Sequence, residues 1–260
     1  MTDEPIVVEL MGTPGAGKST VARALQVALS ELGVAVLCSP ESTPEVAARS
    51  GLGALAARLA SGRPGEILNW RIFAFERWLR GISVLLARPG LVRILLSSQI
   101  LRPAAAQAAP RRPTHWLVRM AGERAMLLSR RKTGEVVVID EGFCHRVVQL
   151  FTSSVETADP RTVARYVAVV PAPSLVIRVM APVGVCLARI RDRGVWDRFD
   201  GDEEGLKSFL NSAADALVMV ADQLENRGVR LVTVDNSGPD DPDRLPQRLL
   251  GALKTAGVVT

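Results

Sequence analysis

The residues best suited to chemistry lie near the start of the chain, in the run Gly12-Thr13-Pro14-Gly15-Ala16-Gly17-Lys18-Ser19-Thr20. This run has the spacing G-x-x-x-x-G-K-[ST] and follows an apolar segment that ends at Met11. Glycines let backbone N–H groups curl around a pyrophosphate, and the N-terminus of a following helix adds positive potential there. The run therefore predicts a triphosphate cradle in which Lys18 reaches the β- and γ-phosphates and Ser19, with Thr20 as its neighbour, binds Mg²⁺.

A second candidate site residue is an acid at the end of another apolar segment. Asp140 and then Glu141 follow Val136-Val137-Val138-Ile139. A carboxylate in this position can hold Mg²⁺, usually through its water shell, so we assign the metal to Ser19 and Asp140. The predicted cofactors are ATP and Mg²⁺, with GTP left open as the alternative nucleotide.

The elements that must position these residues follow from hydrophobic patterning. Apolar, β-branched segments with helical segments between them occur at 6–11, 34–38, 136–140, 175–180 and 229–234. Continuous apolarity is typical of strands covered on both faces, as in a parallel sheet wrapped by helices. The predicted fold class is therefore α/β, of the P-loop NTPase type, with a five-stranded parallel sheet flanked by helices. The first helix is expected over 18–32, with Gly33 as its stop signal.

The second and third strands are separated by about a hundred residues, more than one crossover helix requires. We therefore predict a single domain over 1–260 with a basic, largely helical insertion over 63–132 between strands two and three. Helices are expected at 66–86, 91–101 and 115–131. The aromatic residues of this segment are expected to pack between its helices: Trp70, Phe73, Phe75, Trp78 and Trp116.

Charge is concentrated in that same insertion. The whole chain carries a net charge of +5, whereas residues 63–132 hold thirteen Arg and one Lys against three Glu, a net charge of +11. The planar fork of Arg suits phosphate, although solvated surface arginines would give the same composition. The arginines most able to line a cleft are Arg71, Arg77, Arg80, Arg119 and Arg124.

Composition also excludes several classes of protein. No apolar run approaches the roughly eighteen residues that a membrane span needs, and residues 1–5 carry no basic leader, so a cytoplasmic location is expected. Cys38, Cys144 and Cys186 fit small core residues better than a disulfide framework or a zinc site. His115 and His145 have no partner at metal-ligand or triad spacing, and neither is assigned a role.

The last third of the chain carries a resemblance. Leu187-Ala188-Arg189-Ile190-Arg191-Asp192-Arg193-Gly194 and Asp197-Arg198-Phe199-Asp200 follow the fourth predicted strand. With the glycine-rich run, they resemble P-loop kinases of the nucleoside-monophosphate-kinase group, most closely thymidylate kinase in the cradle and lid. The resemblance implies that Arg189, Arg193 and Arg198 close over the nucleotide. Asn236, in a turn after the fifth strand, is similarly placed to the loop that borders the adenine.

The resemblance ends at the acceptor side. Thymidylate kinases carry Arg-Glu-Pro-Gly-Gly after strand two and Asp-Arg-aromatic after strand three. Here those places hold Ser39-Pro40-Glu41-Ser42-Thr43 and Asp140-Glu141-Gly142-Phe143, which argues against thymidine monophosphate as the acceptor. Deoxynucleoside kinases place a glutamate like Glu41 opposite a hydroxyl acceptor, so Glu41 and Glu141 are candidate bases. The alternatives are a helix-capping role for Glu41 and orientation of the metal shell by Glu141.

Two functions from different classes fit these features. The first is an ATP-dependent phosphotransferase acting on a small acceptor such as a nucleoside, a nucleotide or a related metabolite. The alternative is a nucleotide-binding switch or scaffold whose basic insertion binds a protein partner, nucleic acid or anionic membrane. Nucleic acid is disfavoured because no known binding fold is apparent, whereas a homodimer and weak membrane-surface contact stay open.

Overall fold

The computed structural model describes residues 5–39, 46, 49, 63–100, 113–153, 156–194, 199, 201–238 and 244–255. Glu41 and Arg198, which the sequence analysis singled out, lie outside these ranges. Predictions that depend on either of them stay predictions.

A single parallel sheet organises the described chain. Its five strands lie in the order β2-β3-β1-β4-β5, and every neighbouring pair is parallel. This arrangement confirms the predicted α/β class with a five-stranded parallel sheet flanked by helices. The strands are β1 (Val7–Met11), β2 (Val36–Ser39), β3 (Val136–Ile139), β4 (Leu175–Met180) and β5 (Arg230–Asp235).

Helices connect these strands and cover the sheet. Among the described ranges, α2 to α4 fall between β2 and β3 in the chain, and α5 and α6 fall between β3 and β4. The helices of the described residues are α1 (Lys18–Glu31), α2 (Arg63–Leu86), α3 (Pro89–Ile100), α4 (Pro113–Arg130), α5 (Phe143–Phe151), α6 (Pro160–Val169), α7 (Val183–Arg193), α8 (Glu203–Asn226) and α9 (Arg244–Thr255). No helix in the described ranges is long and apolar enough to cross a membrane.

Burial of the strands agrees with the prediction in the centre of the sheet and differs at one edge. Every residue of β1 and β3 is buried, because helices cover both of their faces. In β5 the exposed residues Arg230, Thr233 and Asp235 alternate with more buried ones, so continuous burial was wrong for this strand. Among the described strands, β5 lies at the edge of the sheet and neighbours β4. Cys38, Cys144 and Cys186 are buried free thiols, as predicted.

The contact between α2 and α4 is close enough to require glycine. A Cβ atom on Gly122 would lie 1.8 Å from the carbonyl oxygen of Arg77, and one on Gly81 would lie 2.0 Å from that of Val118. The two helix backbones therefore approach each other at these glycines, and any side chain there would force them apart.

The predicted packing of the insertion aromatics was mostly wrong. Phe73 is buried in the core, but large exposed fractions remain on Trp70 (54 %), Phe75 (62 %), Trp78 (48 %) and Trp116 (49 %). The close contact between α2 and α4 lies at Gly81 and Gly122, and of these five rings only that of Phe73 is buried.

We expect Gly122→Ala to destabilise the protein by about 1–3 kcal/mol, because the added methyl group overlaps backbone of α2. Gly251→Ala in α9 is the matched control, since a Cβ there meets nothing within 4 Å. The control should be neutral or stabilising by up to about 1 kcal/mol through helix propensity. Urea denaturation measures the free energy of unfolding of both variants. Equal effects of the two substitutions would contradict the close contact between α2 and α4.

Candidate functional site

The glycine-rich loop, residues 12–17, joins the C-terminal end of β1 to the N-terminus of α1. Gly15 and Gly17 have φ angles of 83° and 91°, which lie in the left-handed region that favours glycine. A Cβ on Gly15 would lie 2.6 Å from the carbonyl oxygen of Cys186, and one on Gly17 would lie 2.1 Å from Nδ2 of Asn236. Both backbone conformation and close packing against later parts of the chain thus require these glycines.

Lys18, the first residue of α1, is buried beneath this loop. Its Nζ donates to the carbonyl oxygen of Gly12 at 3.2 Å and lies 3.9 Å from Oε1 of Glu141. Burial lowers the pKa of Lys18, and the nearby carboxylates of Glu141 and Asp140 oppose that shift. The ammonium is therefore held at the loop by carbonyl and carboxylate oxygens, which an anionic ligand could replace.

The predicted metal residues lie together. Oγ of Ser19 donates to Oδ2 of Asp140 at 2.7 Å, across 121 positions of sequence. Hydroxyl and carboxylate oxygens are hard ligands of the kind that Mg²⁺ prefers. No group of three or more His, Cys, Asp or Glu in the described residues could hold a metal. The pair therefore fits Mg²⁺ only if phosphate and water oxygens complete its coordination, as is usual for this ion.

Two residues from later in the chain, Arg189 and Asn236, donate hydrogen bonds to the glycine-rich loop. Nδ2 of buried Asn236, after β5, donates to the carbonyl oxygen of Ala16 at 2.6 Å. Nη1 of Arg189, on α7, donates to the carbonyl oxygens of Ala16 at 3.3 Å and Gly15 at 3.4 Å. Arg193 is exposed, and its Nε donates to the carbonyl oxygen of Arg189. Of the predicted lid arginines, the structure therefore brings Arg189 to the loop, whereas Arg193 faces solvent one turn away.

Glu141 lies between the loop and the N-terminus of α5. Its Oε1 is 3.5 Å from Nε2 of His145, and its Oε2 is 3.4 Å from Nη2 of Arg146. Its side chain remains 42 % exposed, so it is open to a ligand. The structure thus places this predicted base directly beside Lys18.

His145, which the sequence analysis left without a role, is fully enclosed under this site. Burial lowers its pKa well below the ordinary value, and the positive charges of Lys18 and Arg146 add to the shift. Its Nδ1 has no hydrogen-bond partner among the described residues. The signal that could have identified it is its position four residues after Glu141, which places both on one face of a helical turn.

Glu9 is a second residue that sequence reasoning missed. It lies fully buried in the middle of β1, where its Oε2 accepts the N–H of Cys144 at 3.1 Å. Its Oε1 lies 3.7 Å from Nε of Arg124 on α4. Burial raises the pKa of Glu9, and the charge of Arg124 opposes that shift. The available signal was an acid inside the otherwise apolar segment Val7-Val8-Glu9-Leu10-Met11.

The candidate cleft arginines divide into paired and unpaired groups. Arg77 lies 4.0 Å from Glu123, whose Oε1 accepts the hydroxyl of Ser39 at the end of β2. Arg80 likewise contacts Glu76 at 2.9 Å. The guanidinium of Arg77 also lies over the rings of Phe73 and Trp70, and that of Arg119 lies over the ring of Trp116. Arg71 is exposed. The positive charge of the described part of residues 63–132 is therefore partly neutralised by Glu76 and Glu123.

Comparison with known proteins identifies no family. No protein-family model matches the chain, and no curated protein matches it. Any function proposed for the chain therefore rests on the geometry of the glycine-rich loop and the residues around it.

Asn236→Ala should destabilise the protein by about 1–3 kcal/mol, because it removes a buried donor from the carbonyl oxygen of Ala16. Asn211→Ala, at an exposed position inside α8, is the control and should change stability by less than about 0.5 kcal/mol. Denaturant midpoints compare the two. An Asn236→Ala protein as stable as the control would show that this hydrogen bond contributes nothing to the free energy of unfolding.

The buried His145 predicts a pH dependence with a definite sign. Because its native pKa is lowered, the unfolded chain binds more protons there, so stability falls as pH drops below the ordinary His value of about 6.5. The contribution approaches about 1.4 kcal/mol per pH unit at most. His145→Gln should flatten the fall in unfolding free energy between about pH 7.5 and 5. His115→Gln, at an exposed position, should keep the wild-type slope; identical slopes in all three proteins would refute the assignment.

Proposed function

We propose that the protein is a Mg²⁺-dependent phosphotransferase that moves the terminal phosphoryl group of ATP to a small acceptor. The observation that carries the proposal is the 2.7 Å contact between Ser19 and Asp140 beside the buried ammonium of Lys18. A hydroxyl, a carboxylate and an ammonium so arranged are the groups with which nucleoside-triphosphate sites hold Mg²⁺ and the β- and γ-phosphates.

The proposal includes a P-loop assignment for the glycine-rich loop. This loop leaves the C-terminal end of β1 and opens α1, so backbone N–H groups and the helix dipole favour an anion there. β1 has β3 and β2 on one side and β4 and β5 on the other. Ligands of open parallel sheets bind at such reversals of strand order, beyond the carboxyl ends of the strands. Helices α2 to α4, between β2 and β3 in the chain, support the predicted insertion.

Arg189 favours phosphoryl transfer over simple nucleotide binding. Its guanidinium already contacts carbonyl oxygens of the loop, so a small movement would bring it to phosphate oxygens. An arginine there stabilises the charge that spreads over the phosphoryl oxygens during transfer. Ser19 and Asp140 would hold Mg²⁺, which would supply further neutralisation of the phosphate charge.

A nucleotide-dependent switch is the second candidate function. Exposed Trp70 and Trp78 on α2 and exposed Trp116 on α4 favour it, because large exposed apolar side chains can mark a protein-binding surface. A switch binds Mg-ATP without forming a phosphorylated acceptor, and an assay for that product separates the two functions.

Lys18→Ala should weaken Mg-ATP binding at least about 10-fold, since it removes an ammonium from the phosphate contacts. Isothermal titration calorimetry measures the affinity. Lys207→Ala, at an exposed position of α8, is the matched control and should bind as wild type does. Wild-type protein that binds neither ATP nor GTP in magnesium buffer, or equal affinities in the two variants, would remove the basis of the proposal.

A further inference from the structure

The carboxylate of Glu141 lies beside Lys18, the residue expected to bind the transferred phosphoryl group. If Lys18 binds the γ-phosphate, the carboxylate 3.9 Å from its Nζ faces the same space. Asp140 already contacts Ser19 and is assigned to the metal, whereas Glu141 keeps 42 % of its side chain exposed. Glu141 is therefore placed to meet the acceptor rather than the metal.

Two residues of α5 hold this carboxylate in position. Buried His145 lies 3.5 Å from Oε1, and Arg146 lies 3.4 Å from Oε2 while also donating to the backbone carbonyl of Glu141. Both belong to the first turn of α5, which follows β3 directly. A base anchored on a helix and a buried strand is held more rigidly than one on a free loop.

The charges around the acceptor side oppose a phosphorylated acceptor. A phosphorylated acceptor would bring a second phosphate charge to the space that the γ-phosphate already shares with Glu141, where the described cations Lys18 and Arg146 already contact that carboxylate. The guanidinium groups of Arg77, Arg124 and Arg146 each lie within 4.0 Å of a carboxylate, those of Glu123, Glu9 and Glu141 respectively. Moving Arg124 away from the fully buried Glu9 would remove the counter-charge of that acid at high cost. These arginines thus neutralise protein acids instead of presenting charge to a ligand.

We propose that the acceptor is a neutral molecule with a free hydroxyl group and that Glu141 is its general base. The inference rests on the proposed phosphotransferase function. The hydroxyl oxygen forms a bond to the γ-phosphorus as the bond from that phosphorus to the β–γ bridging oxygen breaks. ADP leaves with the bridging oxygen, and the hydroxyl proton passes to the carboxylate of Glu141 and then to solvent.

Matched pairs of acceptors test the substrate class: thymidine with thymidine monophosphate, ribose with ribose 5-phosphate, and glycerol with glycerol 3-phosphate. Transfer from ATP is followed by phosphorus NMR after calorimetry has established Mg-ATP binding. At least one unphosphorylated member should be phosphorylated, at a rate about 100-fold or more above that of its monophosphate. Preference for a monophosphate would overturn the inference, as would intact Mg-ATP binding with no transfer to any hydroxyl compound. Absence of Mg-ATP binding would instead defeat the proposed function itself.

Glu141→Gln tests the base. We expect kcat to fall at least about 100-fold, while the Kd for Mg-ATP changes less than about threefold. Glu141→Asp should recover part of the activity, and Glu31→Gln, at an exposed position on α1, is the control. Thermal melting shows that each variant is folded. A folded Glu141→Gln protein with kcat near the wild-type value would overturn the assignment.

Discussion

The parallel pairing of β1 with β3 is the constraint on which the rest of the site depends. Val7, Val8 and Glu9 pair with Val137, Val138 and Ile139. Parallel strands end at the same edge of a sheet, so the residues that follow them meet there. Ser19 and Asp140 contact each other for this reason, although a long segment of chain separates them. Lys18 and Glu141 are their sequence neighbours and therefore also arrive at the same place.

The strands of the fold were predictable because a local run of apolar residues was sufficient to identify each one. Apolar segments predicted all five strands to within two residues at each end, because strands covered on both faces consist mostly of apolar residues; Glu9 in β1 and the exposed residues of β5 are the departures. The predicted packing of the aromatic residues in 63–132 was mostly wrong, because hydrophobicity alone does not determine which residues a helix interface can accommodate. On α2 the buried face carries Phe73, Arg77 and Gly81, at a spacing of four residues, and the close approach at Gly81 leaves no room for a large ring.

The candidate site was predictable to the extent that its residues are contiguous. The glycine-rich loop, Lys18 and Ser19 form one motif, and Asp140 ends an apolar segment, so spacing alone identified them. His145 gave no such signal, because its importance arises from burial beside Lys18, which only the folded chain brings about. That Asn236 borders a base stays a prediction, and the structure shows that its amide nitrogen donates to the carbonyl oxygen of Ala16. That interaction joins positions 220 residues apart, beyond the reach of local patterning.

Glu9, a carboxylate buried inside the sheet, helps to position two helices. A buried carboxylate is costly unless donors surround it, so its neighbours must keep their places. Cys144 supplies a backbone N–H from the first turn of α5, and Arg124 supplies positive charge from α4. One side chain of β1 thus constrains both the helix that carries His145 and the helix that carries Glu123. A leucine at this position would bury well but would leave the orientation of those two helices to packing alone, and the contacts around Glu141 depend on that orientation.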